Sequence, residues 1–475
     1  MTGNGYTTEI PYLRDFKPML APAWLDHVAL VAGVEPPARR SDFAWCDLGC
    51  GQGLTAAILA ATHPAGLFHG IDAMVVHINH ARRLAAEAGI PNACFHATDF
   101  ADALELELPQ FDYIVVHGVY TWVDLASQRA LLRFIDCRLK AGGLVYLGYN
   151  AMPGWASDLP FQKLARELGA IFPGDDAARI AATTATICAL ANSGVPSLAS
   201  SYLARELAQR PEDYPAAYLL HELMPAAWQP LYVTEVRAAM ATIGLIPVGS
   251  ATLNENFNWM VLSDAARETL DTISEPDTRE LVRDFFLDQR FRCDVFARHN
   301  QRLDRDERAR RLFSSTFALA RPLPAIRYST ASSAGTAIAY DNPATRAILR
   351  ALAAGPSSLR GGLAPDNASE EAQKALLTLC AAGDIMPVEP SSVGVTDLNR
   401  ILCRRIDGPE EIRWLALPCG TAMEVDRGVM RLLRDTGEVD DMLFPGWPGF
   451  LASHGLSGFA TPKCEDRARR ATRRR

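Results

Sequence analysis

The chain has 475 residues, of which 49% are hydrophobic and 21% are charged, a composition typical of a globular protein with two or three domains. The formal net charge is −8, so overall electrostatics give no reason to expect nucleic acid or an anionic membrane surface as a partner. The exception is the basic end 461–475, which we interpret as a solvated, disordered tail.

Targeting and cysteine patterns both indicate an intracellular protein. The first ten residues have neither a basic region nor an apolar core, and no later apolar run reaches the roughly 18 residues of a membrane span. The ten cysteines lack Cys-x-x-Cys spacing, which favours reduced thiols over disulfides or zinc sites. We therefore expect a cytoplasmic location without membrane attachment.

Residues 1–40 form an N-terminal segment with a helix pattern from Ala23 to Ala32, ended by Gly33 and Pro36-Pro37. Next comes an apolar run, Phe43 to Cys46, then the turn Asp47-Leu48-Gly49-Cys50-Gly51-Gln52-Gly53, then a helix pattern from Leu54 to Ala61. Glycines at alternate positions allow a sharp bend and let a ligand lie against bare peptide groups. A strand, a glycine turn and a helix start predict a nucleotide-like cofactor site.

The details of this turn favour S-adenosylmethionine over a nicotinamide dinucleotide. In the dinucleotide fingerprint G-x-G-x-x-G the third glycine falls at position 54, where this chain has Leu54. Asp47 also lies at the strand end, where a carboxylate repels phosphate but attracts an amino group. We expect Asp47, Gly49, Gly51 and Gly53 to contact the cofactor.

Two further acids follow the next strands. The run Leu67–Asp72 ends in a carboxylate about 20 residues past the turn, the spacing at which an acid accepts ribose hydroxyls. The run Ala93–His96 leads to Asp99 and Phe100, which we expect at the adenine amino group and ring.

The remaining runs complete an alternating pattern. Phe111–His117 has the continuous apolar character of a strand buried on both faces, and Leu144–Tyr149 follows the predicted turn Lys140–Gly143. Helix patterns cover Val76–Ala88 and Leu125–Leu139. The alternation predicts an α/β, Rossmann-like doubly wound parallel sheet with ligands at the carboxyl ends of its strands.

Beyond the fifth strand, an alanine-rich stretch of short helices over 151–230 interrupts the pattern before a helix, Thr234–Ile243, and a predicted terminal hairpin, Leu245–Leu253 with Phe257–Leu262. We therefore predict a cofactor-binding domain at 41–263, with 151–230 as a helical insertion roofing the site. A charged helical region follows at 264–325. Region 326–460 has the helix-helix-strand order of a winged helix.

Several segments identify a family resemblance: Asp47–Gly53, Gly70–Asp72, His117–Val123 and Tyr149–Trp155. They resemble bacterial class I methyltransferases with a methyltransferase regulatory domain, a group that includes the rickettsial lysine methyltransferases of outer-membrane protein. The resemblance covers most of the first 300 residues. It implies a methyltransferase fold with a helical insertion and winged-helix-like C-terminal regions, S-adenosylmethionine as cofactor and S-adenosylhomocysteine as product. It also implies that an N-terminal tyrosine, Tyr6 or Tyr12, lines the pocket beneath residues 1–40 as a cap.

Residues at the ends of the fourth and fifth strands are expected to face the transferred methyl group. We predict catalytic contributions from five of them: His117, Tyr120, Tyr149, Asn150 and Trp155. His117 is expected at the cofactor too, either as a general base or as a structural histidine. Trp122 is expected in the wall of the substrate pocket, with Glu222 reaching the acceptor from the roof. His221-Glu222 lacks the second histidine of a zinc motif, so no metal site is predicted.

The predicted function is N-methylation of a protein lysine side chain. Aromatic faces and hydrogen-bond acceptors suit an amine that becomes cationic as it is methylated. The alternatives are methylation of oxygen or nitrogen in a small molecule and a catalytically silent cofactor-binding module. The sequence leaves the acceptor and the oligomeric state open.

Overall fold

The structure is a computed structural model that describes residues 15–38, 42–210, 214, 219, 223–331, 337–360, 369–389, 394–407, 412–439 and 441–456. The predictions made for Tyr6, Tyr12, Glu222 and the tail 461–475 lie outside these residues.

A seven-stranded mixed sheet organises the first 300 residues, in the order β3-β2-β1-β4-β5-β7-β6. The first five strands are parallel, and β7 runs antiparallel to both β5 and β6. The strands are β1 Ala44–Leu48, β2 Leu67–Asp72, β3 Ala93–Ala97, β4 Phe111–His117, β5 Leu139–Asn150, β6 Ile246–Ser250 and β7 Phe291–Ala297. The chain reverses its winding direction between β1 and β4, which is where ligands bind in doubly wound sheets.

The helices between the strands cover both faces of the sheet. Their apolar residues bury β1 completely and most of β4. The helices of this part are α1 Pro22–Val31, α2 Leu54–Thr62, α3 Val75–Glu87 and α4 Leu125–Arg138. Within the described residues, no helix combines the length and apolar character needed to cross a membrane.

The insertion after β5 is helical, as the sequence predicts. It contains α5 Leu159–Ile171, α6 Asp176–Asn192, α7 Pro196–Ala199 and α8 Tyr202–Gln209. These helices share a separate hydrophobic core with Trp122, Trp155 and Trp228. An isolated parallel bridge between Ala151 and Leu231 closes the base of the insertion, so both of its ends leave from the same edge of the sheet.

Two strand predictions are wrong. The run Phe257–Leu262, predicted as the last strand, contains the helix α10 Asn258–Val261 instead, and the antiparallel partner of β6 is β7, from the region predicted to be helical. The sheet therefore extends beyond the predicted boundary at residue 263. The predicted turn Lys140–Gly143 lies inside β5, which begins at Leu139 and has a register shift opposite Phe111 and Tyr113.

Four more helices follow the insertion: α9 Val233–Ala241, α11 Asp264–Asp271, α12 Pro276–Leu287 and α13 Arg305–Ser314.

The C-terminal part combines helices with small antiparallel sheets. The helix-helix-strand order appears as α14 Pro343–Leu352, α15 Glu370–Ala381 and β12 Ile385–Val388. Strand β12 pairs with β8 Thr316–Leu319, which also pairs with β11 Ser357–Ser358; β9 Ser329–Ala331 pairs with β10 Ala337–Ala339. The last elements are α16 Thr396–Arg404, β13 Trp414–Leu417, β14 Thr421–Glu424, α17 Arg427–Asp435 and α18 Trp447–Ser453. The β13–β14 hairpin packs against α2, the helix that follows the glycine turn.

Candidate active site

The glycine turn leaves β1 at the switch point of the sheet. Gly49, Gly51 and Gly53 have φ of 87°, 52° and 73°, values that side chains rarely adopt. A Cβ on Gly49 would lie 2.3 Å from Val119 Cγ2, and one on Gly53 would lie 2.4 Å from Ala81 Cβ. Both positions therefore require glycine for conformation and for close packing.

Asp72, at the end of β2, fixes the shape of this turn. One carboxylate oxygen accepts the Gly51 N–H at 2.9 Å, and the other accepts the Met74 N–H at 2.8 Å. His77 Nδ1 lies 3.2 Å from the second oxygen. The side chain is 13% exposed and reaches solvent at the mouth of the turn. The end of β2 thus holds the middle of the glycine turn, while part of the Asp72 carboxylate stays exposed to solvent.

Asp47 lies near the end of β1, the strand next to β2, and is almost completely buried. Burial, and then the neighbouring Asp72 charge, raise the pKa of Asp47 to about 8. At pH 7 the unliganded protein therefore holds Asp47 mainly as a neutral carboxylic acid. A cation beside it would stabilise the ionised form, as expected of a group that receives an amino group.

Asp99 and Phe100 follow β3 at the same edge of the sheet. Asp99 is exposed, and its Oδ1 accepts the N–H groups of Ala101 and Asp102, each at 2.9 Å. Thr98 N–H donates to the Asp72 carbonyl at 3.2 Å, which ties this loop to the end of β2. Phe100 is partly buried beside it. The three predicted acids therefore lie at the carboxyl ends of three adjacent strands.

His117, the last residue of β4, is half-buried among aromatic side chains. Its Nδ1 lies 2.8 Å from the Tyr146 hydroxyl, and its ring centroid lies 5.4 Å from that of Phe291. Burial, with a smaller effect from Lys17, lowers the pKa of His117 to about 3. The imidazole is neutral at physiological pH and is a weak base. Its hydrogen-bond partner is the Tyr146 hydroxyl.

Tyr120, Trp122 and Trp155 are buried just past the strand ends. Tyr120 packs in the main core, and burial raises the pKa of its hydroxyl. Trp122 and Trp155 both contact Trp228, with ring centroids 5.7 Å and 5.0 Å apart. The two tryptophans thus form one aromatic wall between the strand ends and the helical insertion.

Arg290 completes that wall on its outer side. Its guanidinium carbon lies 4.3 Å from the centre of the Trp155 ring and 5.1 Å from that of Tyr202. It also forms an ion pair of 2.6 Å with Asp158, which is fully buried. The Trp155 indole N–H donates to the Arg290 carbonyl at 2.8 Å. Arg290, the residue before β7, therefore fixes the position of the Trp155 ring through a hydrogen bond and a cation–π contact.

Tyr149 points into a charged cluster rather than toward the glycine turn. Its hydroxyl donates to Asp294 Oδ2 at 2.8 Å, and the side chain has no exposed surface. Arg292, its partner in strand register, pairs with Asp294 at 2.8 Å and with Asp284 at 2.5 Å. We therefore assign Tyr149 to holding β5 against β7 instead of contacting an acceptor.

Asn150 ends β5 beside the β4 loop. Its backbone N–H donates to Thr121 Oγ1 at 3.2 Å, and its side chain is 3% exposed. The side-chain Nδ2 is buried and has no hydrogen-bond partner among the described residues. An unsatisfied buried amide costs free energy unless a ligand completes it. The end of β5 therefore presents a buried amide group that is not satisfied by the described residues.

The sequence predicts residues 1–40 as a cap over the pocket but does not single out the segment Asp15–Met19. The Lys17 N–H donates to Thr55 Oγ1 at 3.2 Å, in the first turn of α2. Met19 Sδ lies 3.3 Å from the Tyr146 hydroxyl, which contacts His117. The segment therefore runs from the helix after the glycine turn to the end of β4. No local sequence signal marks these pairings, because they join residues up to 127 positions apart.

A separate cavity of about 430 Å³ lies beside the edge strand β6, away from the glycine turn. Its charged lining residues are Arg237, Arg279, Arg283, Arg292, Glu255, Glu280 and Asp294. Most of these form ion pairs with one another, so the cavity belongs to the charged cluster under Tyr149.

Comparison with known protein families gives two matches. A family described as a methyltransferase domain matches residues 40–166, and one described as a predicted methyltransferase regulatory domain matches residues 215–298. The first match contains the glycine turn and the ends of β2, β3, β4 and β5. The second contains β6, β7 and the cavity beside them.

Similar proteins extend these matches over nearly the whole chain. The uncharacterized protein sll1526 of Synechocystis sp. is 30% identical over 440 residues, which cover 90% of this chain and 87% of that protein. The uncharacterized protein RP028 of Rickettsia prowazekii is 31% identical over 147 residues, 31% of this chain and 58% of that protein.

A solved structure shares the fold across domains. PKMT2 from Rickettsia typhi, in complex with AdoHcy, superimposes with a TM-score of 0.65 at 19% identity, covering 89% of this chain and 88% of that one. The likeness extends past the sheet into the helical and C-terminal regions. The chain belongs to the family of class I S-adenosylmethionine-dependent methyltransferases that carry a methyltransferase regulatory domain.

Proposed function

We propose that this methyltransferase transfers the methyl group of S-adenosylmethionine to the ε-amino group of a lysine side chain on a protein. The family membership supports methyl transfer. The resemblance to rickettsial lysine methyltransferases in the motifs His117–Val123 and Tyr149–Trp155 supports the acceptor. The large helical insertion beside the site supports a macromolecular acceptor over a small one.

The residues at the switch point suit S-adenosylmethionine. No atom lies within 4 Å of a Cβ built on Gly51, so the turn leaves room for a ligand against its backbone. We assign Asp47 to the amino group of the cofactor and Asp72 to its ribose hydroxyls. Asp99 and Phe100 are assigned to the adenine, and Gly49 and Gly53 to the shape of the cradle. His117 is assigned to the methionine end.

The chemistry asked of the protein is modest. When bound, S-adenosylmethionine supplies a methyl group already activated by its sulfonium. The protein must hold the acceptor nitrogen in line, about 3 to 3.5 Å away, and exclude water. Asn150 is assigned to orienting the acceptor through its orphan amide, since an amide can present either its oxygen or its nitrogen. Trp122 and Trp155 are assigned to the aromatic wall that faces a growing cationic charge.

The environment of His117 is the observation that favours an amine over an alcohol. A histidine with a pKa of about 3 is too weak a base to activate an alcohol, which does not ionise near neutral pH. An amine instead loses its proton to solvent in its own titration, near pH 10.4 for an unperturbed lysine. The site therefore suits an acceptor that can lose its proton to solvent before transfer.

Transfer from S-adenosylmethionine with a labelled methyl group, assayed against fractionated bacterial lysate, tests this function. We expect label in the protein fraction, and much less when Asp72→Asn replaces the wild type at a cofactor concentration near the wild-type Kd. Asp112→Asn is the matched control, because Asp112 has 14% side-chain exposure and also accepts a backbone N–H, but at the opposite edge of the sheet. Label confined to small molecules would contradict the lysine proposal. No transfer to either fraction would contradict catalysis itself.

A further inference from the structure

We propose that the C-terminal domain completes the cofactor site. Trp414 and Arg405 act as positioning residues, one holding the N-terminal segment Asp15–Met19 and the other holding the glycine turn. The inference rests on the proposed cofactor site at Gly49–Gly53. It assigns a role in cofactor binding to residues more than 350 positions from the turn.

The first connection runs through the β13–β14 hairpin. The Trp414 indole N–H donates to Asp15 Oδ1 at 2.7 Å. The same indole packs on Phe16, with ring centroids 5.3 Å apart, and Phe16 has no exposed surface. One side chain of the C-terminal domain thus makes both a charge-assisted hydrogen bond and an aromatic contact to this segment.

The segment held by Trp414 lies between the two elements that flank the proposed cofactor. Thr55 lies two residues past Gly53. Its Oγ1 donates to the Asp15 carbonyl at 3.5 Å and accepts the Lys17 N–H. At its other end, Met19 contacts Tyr146 and thereby the end of β4. Lys17 and Asp15 are also near enough to His117 to influence its pKa in opposite directions. Displacing the segment would therefore open one side of the site.

The second connection reaches the glycine turn through His80. Arg405 Nη1 lies 3.2 Å from His80 Nε2, and His80 Nδ1 lies 3.3 Å from the Gln52 carbonyl, inside the turn. Since a guanidinium can only donate, Nε2 must accept, and Nδ1 then carries the hydrogen that Gln52 accepts. Arg405 also pairs with Glu87 at 2.6 Å on α3. The C-terminal domain thus sets the tautomer of a histidine that holds the turn.

A third contact between the two parts of the chain provides a control. Glu389 lies 3.4 Å from His63, which caps the far end of α2. This pair joins the domains as the others do, but at the end of the helix away from the glycine turn. If the interface only held the domains together, Glu389→Gln and Trp414→Phe would have the same effect on the cofactor.

The test measures cofactor binding by the full-length chain. We expect Trp414→Phe and Arg405→Ala each to weaken S-adenosylmethionine binding about 3- to 10-fold in calorimetry, the range of one net hydrogen bond. The KM for the cofactor should rise by a similar factor, with kcat changed less than about 2-fold. Asp15→Ala should have an effect similar to Trp414→Phe, and the two together should not add, because each removes the hydrogen bond between Trp414 and Asp15.

Two further variants act as controls. Glu389→Gln and Trp447→Phe should leave cofactor affinity unchanged; Trp447 packs edge-to-face against Phe450, with ring centroids 5.5 Å apart, within the C-terminal domain. Hydrogen exchange in the unliganded protein gives an independent readout, since Arg405→Ala should speed exchange in residues 49–55 while leaving β4 protected.

The outcomes separate this inference from the proposed function. If the wild type binds the cofactor and Trp414→Phe and Arg405→Ala bind it equally well, the inference is wrong and the proposed function stands. Equal losses in Glu389→Gln would also overturn it, since they would mean a general effect of domain packing. Failure of the wild type to bind would overturn the proposed function and this inference together.

Discussion

The carboxyl groups of Asp47 and Asp72 lie at the ends of adjacent parallel strands, and the Asp72 charge raises the pKa of Asp47. Asp72 is held by two backbone N–H groups, whereas burial and the Asp72 charge raise the pKa of Asp47 to about 8. This difference agrees with the proposed roles, in which Asp72 binds the neutral ribose diol and Asp47 ionises beside a cation.

Cofactor binding should therefore release protons. At pH 6.5 most of Asp47 is protonated, and it must ionise to pair with the cofactor's ammonium group. We expect net proton release that shrinks as pH rises toward 8, where about half of Asp47 is already ionised and an unperturbed α-amino group, pKa about 7.7 to 8.0, has lost part of its charge. Calorimetry in buffers of different ionisation enthalpy measures this number directly. Asp47→Asn should abolish the release, and binding by the wild type without release at pH 6.5 would contradict the assignment.

Asp72→Asn should weaken cofactor binding about 10- to 100-fold or more, because it removes charge-assisted bonds to the ribose and the acceptor of the Gly51 N–H. Asp112→Asn should change affinity less than about 2-fold. Isothermal titration of folded variants measures both. An Asp72→Asn protein that binds as the wild type does would remove Asp72 from the site.

Trp155→Ala should lower turnover more than cofactor affinity. The indole contacts Trp228 and Arg290 in the aromatic wall next to the insertion, not the glycine turn. We expect kcat to fall about 10-fold or more and the Kd for S-adenosylmethionine to change less than about 3-fold. Equal losses in both quantities, or no loss in either, would count against a role at the acceptor.

Tyr149→Phe should act mainly on stability, by about 1–3 kcal/mol, because Asp294 loses a buried hydrogen-bond donor. Tyr340→Phe is the matched control, since the Tyr340 hydroxyl donates to Asp384 at 2.6 Å in the C-terminal part. Chemical denaturation should give losses of similar size for both variants. Turnover should fall only for Tyr149→Phe, through the displaced end of β5; unchanged turnover would mean that the cluster does not support the site.

Much of the sheet could be predicted from sequence, because a strand buried on both faces reads as a continuous apolar run. Leu67–Asp72 and Phe111–His117 are confirmed to the residue. Strand β7 was missed because Arg292 and Asp294 alternate with its apolar residues and resemble a solvated face. They are buried instead, where each neutralises the other. Charge alone in the sequence does not distinguish these two situations.

The candidate site likewise contains residues that the sequence reveals and residues that it does not. Residues at strand ends, such as Asp72 and His117, could be found because the topology brings those ends together. The predicted acceptor role of Tyr149 followed from its position at the end of β5. Its hydroxyl donates instead to Asp294 in the neighbouring strand β7. Contacts from Lys17 or Trp414 depend on tertiary packing across the chain and leave no local pattern.

Methylation of lysine by this protein is tested most directly by one measurement. Bacterial proteins are incubated with the enzyme and S-adenosylmethionine carrying a deuterated methyl group, digested, and sequenced by tandem mass spectrometry. We predict that the labelled methyl lies on the ε-nitrogen of lysine, and that Asp72→Asn strongly reduces the label while Asp112→Asn leaves it intact. Labelled small molecules with no labelled lysine in any protein would contradict the claim.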